Sequence, residues 1–412
     1  MLLNRNEYLK KLIESKHIKL VKVITGIRRS GKSYLLDPLF TNHLKEAGVD
    51  EKHIIKIDLD QLRNHKYHDP YLLDEYIRSK ITDENMYYVI IDEIQLVSNF
   101  ESLLNGYNNM SNVDIYVTGS NSRFLSSDIV TEFRGRSHQI RIYPLSFKEF
   151  YEAKKINKND AYQQYIRYGG MPMLISLEGE QEKSNYLKNL FELTYLKDII
   201  ERNKVEKNEV LTSLTKIIAS SIGSLTSARK LTNTYKSYGN KELSINTVLS
   251  YLGYLEDSFL IENVNRYDVK GKRYIETLSK YYFTDIGLRN TILNYRQQEE
   301  NHIMENIVYL ELVRRGYNVD VGIVEIREKN TRKQLEVDFV CNQHVKKYYV
   351  QVALNLETRD KTIQETRPLR NIDDSFKKII IVKDDIIPWV TEEGILVIGI
   401  IEFLLNSDSL NI

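Results

Sequence analysis

Eight residues, Gly26-Ile27-Arg28-Arg29-Ser30-Gly31-Lys32-Ser33, set two glycines, a lysine and a hydroxyl at the spacing G-x-x-x-x-G-K-S. The chemistry this suits is phosphate capture. Gly26 and Gly31 allow successive backbone N–H groups to point into one concavity, because glycine tolerates positive φ and close ligand approach. Lys32 can then reach the β- and γ-phosphates of a nucleoside triphosphate, and Ser33 can offer its hydroxyl to Mg²⁺. Ile27, Arg28, Arg29, Ser30 and Tyr34 complete the expected cradle. A second set follows at Asp92-Glu93. Asp92 could hold the Mg²⁺ water shell, while Glu93 could orient and polarise a water attacking the γ-phosphate. Further on, Gly119-Ser120-Asn121-Ser122 puts small polar side chains where Ser120 or Asn121 could sense that phosphate, although a plain turn explains the same letters. Phe133-Arg134-Gly135-Arg136 carries two guanidinium groups. Either Arg134 or Arg136 could neutralise developing phosphate charge across a subunit boundary, or the pair is a solvated surface.

These residues need a scaffold that delivers them to one edge. Strand-like and helix-like segments alternate through the first 150 residues: Val21 to Thr25, a helix from about Lys32 to Ala47, Ile54 to Leu59, a helix from about Tyr71 to Ile81, Tyr87 to Asp92, and Val113 to Thr118. Alternation of this kind predicts an α/β domain with a parallel sheet and ligands at the C-terminal strand ends. The apolar run Tyr87-Tyr88-Val89-Ile90-Ile91 reads as a central strand buried on both faces, which delivers Asp92-Glu93 to that edge. Pro38 should kink the helix that follows the phosphate loop.

With 412 residues the chain has room for two to four domains. Lys and Arg number 58 against 57 Asp and Glu, so no global field selects nucleic acid or a membrane as partner. The single cysteine, Cys341, excludes an intrachain disulfide and a Cys-built zinc site and suits a reducing compartment. Charged residues interrupt the first 22 positions, and no apolar run reaches membrane-spanning length, so a soluble cytoplasmic protein is expected.

The C-terminal half is divided on composition into a helical connector over 151–205, a unit over 206–297 and an α/β unit over 298–412. Tyr168-Gly169-Gly170-Met171-Pro172 reads as a helix stop and sharp restart. Glu209 to Ile222, Ser227 to Tyr238 and Ser244 to Leu255 read as three helices. Strands Leu260 to Tyr267 and Arg273 to Phe283 follow, giving the layout of a winged helix. DNA docking through the third helix, with Lys270, Lys272 and Arg273 on phosphates, is one reading of that layout; packing or partner binding is the other. Glu299 to Arg315 reads as a helix, and strands are expected at Tyr317 to Ile323, Leu335 to Cys341, Tyr348 to Leu354, Lys378 to Val382 and Ile395 to Ile401.

Five motifs occur in one order: the loop at Gly26–Ser33, Ile90-Ile91-Asp92-Glu93-Ile94-Gln95, Thr118-Gly119-Ser120-Asn121-Ser122, Tyr143-Pro144-Leu145-Ser146-Phe147, and Tyr168-Gly169-Gly170-Met171-Pro172. Together they resemble prokaryotic AAA-type ATPases with a C-terminal half of unassigned function. The resemblance implies ATP as the nucleotide, Mg²⁺ as its ion, and a nucleotide-dependent homo-oligomer in which an arginine acts between subunits. In the last unit, Glu305, Glu336-Val337-Asp338 and Gln351-Val352-Ala353 are similar to the PD-(D/E)XK restriction-nuclease core. There an acidic residue and a Glu or Gln bind Mg²⁺, and a lysine two positions on aligns the water. Glu305, Asp338 and Gln351 fit, but Ala353 stands at the lysine position. Cleavage is therefore not expected unless Lys333, Lys346 or Lys347 folds in. Three classes remain: an ATPase that drives its C-terminal modules, a slow ATP-regulated DNA-binding regulator, and a protein-interaction scaffold.

Overall fold

Val21, Val23 and Ile24 of one segment and Tyr87-Tyr88-Val89-Ile90-Ile91 of another put apolar side chains on both alternating faces, and such strands are stable between two covering layers. A computed structural model, which describes residues 3–119, 135–239, 243–296, 299–328 and 331–412, shows that arrangement. The chain divides into two compact units, Met1–Pro144 with Asp257–Phe259, and Leu145–Glu256 with Leu260–Ile412.

The first unit holds strands β1 (Val21–Thr25), β2 (Ile54–Asp58), β3 (Tyr87–Asp92), β4 (Val113–Gly119) and β5 (Ser137–Arg141) in the order β2-β3-β4-β1-β5, every pairing parallel. β4 thus lies between the loop-bearing β1 and the acidic β3. One face packs Val21, Val23, Val89 and Ile91 against Leu73 and Ile77 of the helix Pro70–Lys80 and Leu104 of the helix Phe100–Asn108. The other packs Ile24, Tyr88 and Ile90 against Tyr8 and Leu12 of the helix Asn6–Glu14 and against Leu35, Leu36 and Leu44 beyond the phosphate loop. Lys22 is fully buried in β1, paired with Asp114 of β4, to which the Tyr116 hydroxyl also donates at 2.9 Å. The helix expected over Lys32 to Ala47 is broken. Asp37 is extended (φ −138°, ψ 113°), as a residue before proline prefers, and helix resumes over Thr41–Glu46.

In the second unit two of the five motifs meet. Ser146 caps the helix Phe147–Lys154 in a reciprocal box with Glu149, and the Leu145 N–H donates to the Gly170 carbonyl at 2.8 Å. Gly169, at φ +76°, ends the helix Lys158–Tyr168, as expected from its sequence. Asp285 clasps the motif, accepting the Gly170 N–H at 2.7 Å while capping Leu288 N–H at 3.0 Å, and burial pushes its carboxyl up to about 6.

Helices Asn208–Ser220, Ala228–Ser237 and Ile245–Asp257 precede the hairpin β6 (Ile261–Asp268) and β7 (Arg273–Phe283) in the expected order. The hairpin is not a free wing. β6 pairs in parallel with β8 (Asn318–Glu328) through Arg266–Asp268, extending one sheet through β9 (Thr331–Gln343), β10 (Lys346–Ala353), β11 (Lys377–Val382), β13 (Leu396–Gly399) and β12 (Trp389–Val390). The helix Glu300–Arg314 lies between hairpin and sheet in sequence, and the helix Arg359–Arg370 packs along β9, β10 and β11. The expected strand at Ile395 to Ile401 ends at Gly399, where the helix Ile400–Leu405 begins.

Candidate functional site

β1 ends at Thr25 and the chain enters the loop through Gly26 at φ 143°. A Cβ on Gly26 would sit 2.1 Å from the Ile142 carbonyl oxygen, so only glycine fits there. Gly31 (φ 95°) precedes the helical turn Lys32–Tyr34, whose N-terminal N–H groups are the anion-binding feature. The Lys32 ammonium is buried and donates to the carbonyls of Gly26 at 3.0 Å and Ile27 at 3.2 Å. Burial lowers it to about 8, and Arg28 adds to that, against the opposing pull of Glu93 and Asp92. Among the described residues no hydrogen-bond partner meets the buried Ser30 hydroxyl. Tyr34 accepts the Leu3 N–H at 3.0 Å, which places its hydroxyl on the N-terminal segment.

At the end of β3, Asp92 hydrogen-bonds Ser33 and accepts the Thr118 hydroxyl proton; burial nevertheless raises its carboxyl above the ordinary range. Glu93 adopts the left-handed region (φ 57°, ψ 47°), its N–H donating to Thr118 Oγ1 at 3.0 Å and its carboxylate accepting the Gln95 amide. Ser33, Lys32, Asp92 and Glu93 therefore converge at one strand-end edge. Thr118 and Gln95 were not singled out as site residues, although each lies within two residues of one that was. Alternation along β4 carries the signal for Thr118, since it is the last polar side chain of the strand before Gly119.

The donor set fits a magnesium nucleotide. A buried hydroxyl at Ser30 with no partner among the described residues, an ammonium folded onto loop carbonyls, and the Ser33–Asp92 pair are groups that a polyphosphate and its ion would engage. Ser120, Asn121 and Arg134 lie outside the described residues. Arg136 is exposed, and its carbonyl accepts the Val21 N–H at 2.9 Å. That places it at the start of β1, at the end of the strand opposite the phosphate loop.

In the second unit Glu305, Glu336 and Asp338 come together, but around Lys280 of β7 rather than around Lys333, Lys346 or Lys347. Lys333 faces Glu328 at 3.6 Å, Lys346 faces Asn411 at 3.4 Å, and Lys347 lies over the Tyr349 ring. Gln351 lies beside Asp338, its oxygen accepting the Asp338 N–H at 3.4 Å while its amide donates to Glu365 at 3.4 Å. Among the described residues no helix is long and apolar enough to cross a membrane.

A family model described as an AAA domain matches residues 19–151, and two models described as domains of unknown function match 159–299 and 300–403. An uncharacterized protein of Haemophilus influenzae is 33% identical over 411 residues, spanning 98% of this chain and 99% of its own length. The uncharacterized protein MJ1544 of Methanocaldococcus jannaschii is 30% identical over 367 residues, spanning 85% of this chain and 77% of its own. Among solved structures, a Walker-type ATPase of Pyrococcus abyssi superposes with a TM-score of 0.53 at 16% identity, over 71% of this chain and 96% of that one, a likeness of fold. The chain belongs, with its Haemophilus and Methanocaldococcus relatives, to a family of proteins built on an AAA-type ATPase domain.

Proposed function

We propose that the protein hydrolyses ATP with Mg²⁺ and uses its nucleotide state to control the C-terminal module. The observation that carries this reading is the Thr118 hydroxyl, which ties Asp92 and the Glu93 backbone together beside Lys32 and Ser33. Backbone N–H groups of the loop and the Lys32 ammonium bind the β- and γ-phosphates. Ser33 and Asp92 would hold Mg²⁺, which when bound neutralises phosphate charge. Glu93 orients the attacking water and accepts its proton. Ser120 or Asn121 reads the γ-phosphate. Arg136, at the far end of β1, cannot serve its own site, because five residues of strand span about 16 Å. Its role, like that of Arg134, is across a subunit boundary in a nucleotide-dependent homo-oligomer.

For the C-terminal module, read as a winged helix joined to a non-cleaving nuclease-like sheet, a protein ligand is favoured over DNA. The helix Ile245–Asp257 contains no Lys or Arg and exposes Ile245 and Leu249. In the hairpin, Lys270 faces Asp373 at 3.9 Å and Arg273 faces Asp268 at 3.6 Å, which lowers the positive charge left for phosphates. Steady-state hydrolysis of ATP and GTP by purified protein, with and without duplex or single-stranded DNA and alongside particle sizing, tests the whole reading. ATP turnover with nucleotide-dependent assembly and no response to DNA is expected. Absence of turnover rejects the enzyme, and steeply salt-sensitive stimulation by DNA restores the DNA-binding reading.

A further inference from the structure

β7 carries Lys280 into a pocket where its side chain is 2% exposed. The ammonium lies 2.7 Å from Glu305 Oε1, 2.7 Å from Glu336 Oε1 and 3.7 Å from Asp338 Oδ1. Other donors hold the carboxylates from outside. The Tyr282 hydroxyl donates to Glu305 Oε1 at 2.5 Å, the Val352 N–H donates to Asp338 Oδ2 at 2.8 Å, and His302 Nδ1 lies 3.7 Å from Glu305 Oε2. The ammonium donates to Glu305 Oε1, and Glu336 and Asp338 complete the ring of carboxylate oxygens around it. The Lys280 side chain is 2% exposed and that of Glu305 4%, so this ion pair is buried. Glu305 and Asp338 are largely buried while Glu336 reaches solvent at 34% exposure, and carboxylates brought this close repel one another unless a cation lies between them.

We propose that Lys280 is the resident cation of this pocket, standing where a divalent metal would otherwise bridge Glu305, Glu336 and Asp338 and so keeping the module metal-free. The inference rests on the nuclease-like reading of the module. A divalent ion requires carboxylate oxygens at about 2.0–2.6 Å that are released from other donors. Here the oxygens converge on Nζ, and an incoming ion would meet a buried positive charge. Among the described residues no group of three or more His, Cys, Asp or Glu is arranged to hold a metal. Ala353 packs in the apolar cluster with Tyr349, Leu369 and Val382, so β10 offers no second ammonium. Lys280 thus supplies the charge that Ala353 lacks, but engaged with the carboxylates it is unavailable to align a water.

The test is Mn²⁺ titration by calorimetry, with melting curves in Mn²⁺ or EDTA, on the nucleotide-free full chain. Wild type should show no Mn²⁺ binding that depends on Asp338 and no change in Tm with EDTA. Lys280→Met should gain one Mn²⁺ per chain, at least tenfold tighter than wild type, and lose it again in Lys280→Met/Asp338→Asn. A folded Lys280→Met chain that binds no more Mn²⁺ than wild type overturns the proposal. So does Mn²⁺ binding by wild type that Asp338→Asn abolishes, a measurement that stands even where Lys280→Met fails to fold. Metal-dependent DNA cleavage by wild type would refute the non-cleaving reading separately, with the bound-metal count still judging Lys280.

Discussion

The hydroxyl of Thr118 accepts the backbone N–H of Glu93 at 3.0 Å, fixing the residue assigned as base from the neighbouring strand. β4 and β3 are parallel neighbours, so this contact sets the height of Glu93 above the sheet edge. Replacing Thr118 with Val keeps the shape but removes the acceptor and the proton given to Asp92. The expected result is a kcat lowered by about tenfold or more, since small misplacement of a catalytic group costs that much, with nucleotide affinity near wild type. Thr118→Ser, which keeps the hydroxyl, should recover most of the rate. A Thr118→Val enzyme at full rate removes the positioning role.

Lys32 and Glu93 separate binding from chemistry. Lys32→Ala deletes the ammonium beside the loop and should weaken nucleotide binding or turnover by about 10²-fold or more. Glu93→Gln keeps size and polarity but cannot take a proton, so fluorescent-nucleotide affinity should persist while hydrolysis falls by about 10²–10⁴-fold. Wild-type turnover in Glu93→Gln would reassign the base.

The depressed ammonium of Lys32 makes binding depend on pH. With the group at about 8 in the nucleotide-free protein, a polyphosphate favours its charged form and binding draws a proton from solution. The sign follows: affinity holds below about pH 8 and falls above it, by about tenfold between pH 7 and pH 9. Calorimetry at pH 8 in buffers of different ionisation enthalpy should report about half a proton taken up. Equal apparent enthalpies across buffers would show that Lys32 is already fully charged.

The residues legible in the sequence were those whose role is set by near neighbours. Tyr87 to Ile91 announces a two-sided strand, and Gly26 to Ser33 announces its loop. β5 was missed because only Ile140 of Ser137–Arg141 is buried, so no alternation marks it. Lys280 was missed for a different reason. Its partner Glu305 lies 25 residues later, and nothing near Lys280 in sequence distinguishes it from a solvated lysine. The parallel pairing of Arg266–Asp268 with Val321–Ile323 was equally invisible, since it joins a hairpin to a strand beyond two intervening helices.

Gly287 gives a stability test of the second unit. Its backbone passes so close to Tyr168 that an added Cβ would lie 1.8 Å from the Tyr168 carbonyl oxygen, and backbone cannot swing aside as a flexible side chain can. The contact locks the Gly169-Gly170 turn against the helix Ile286–Ile292 that Asp285 caps. Gly287→Ala should therefore destabilise by about 3 kcal/mol, the upper range of overpacking costs. On Gly253, inside the helix Ile245–Asp257, an added Cβ would meet no atom of the described residues within 4 Å, and Gly253→Ala should stabilise by about 0.5–1 kcal/mol through helix propensity. Urea melts of the two variants should move in opposite directions from wild type. A Gly287→Ala midpoint equal to that of Gly253→Ala would show that the turn and helix are not locked as described.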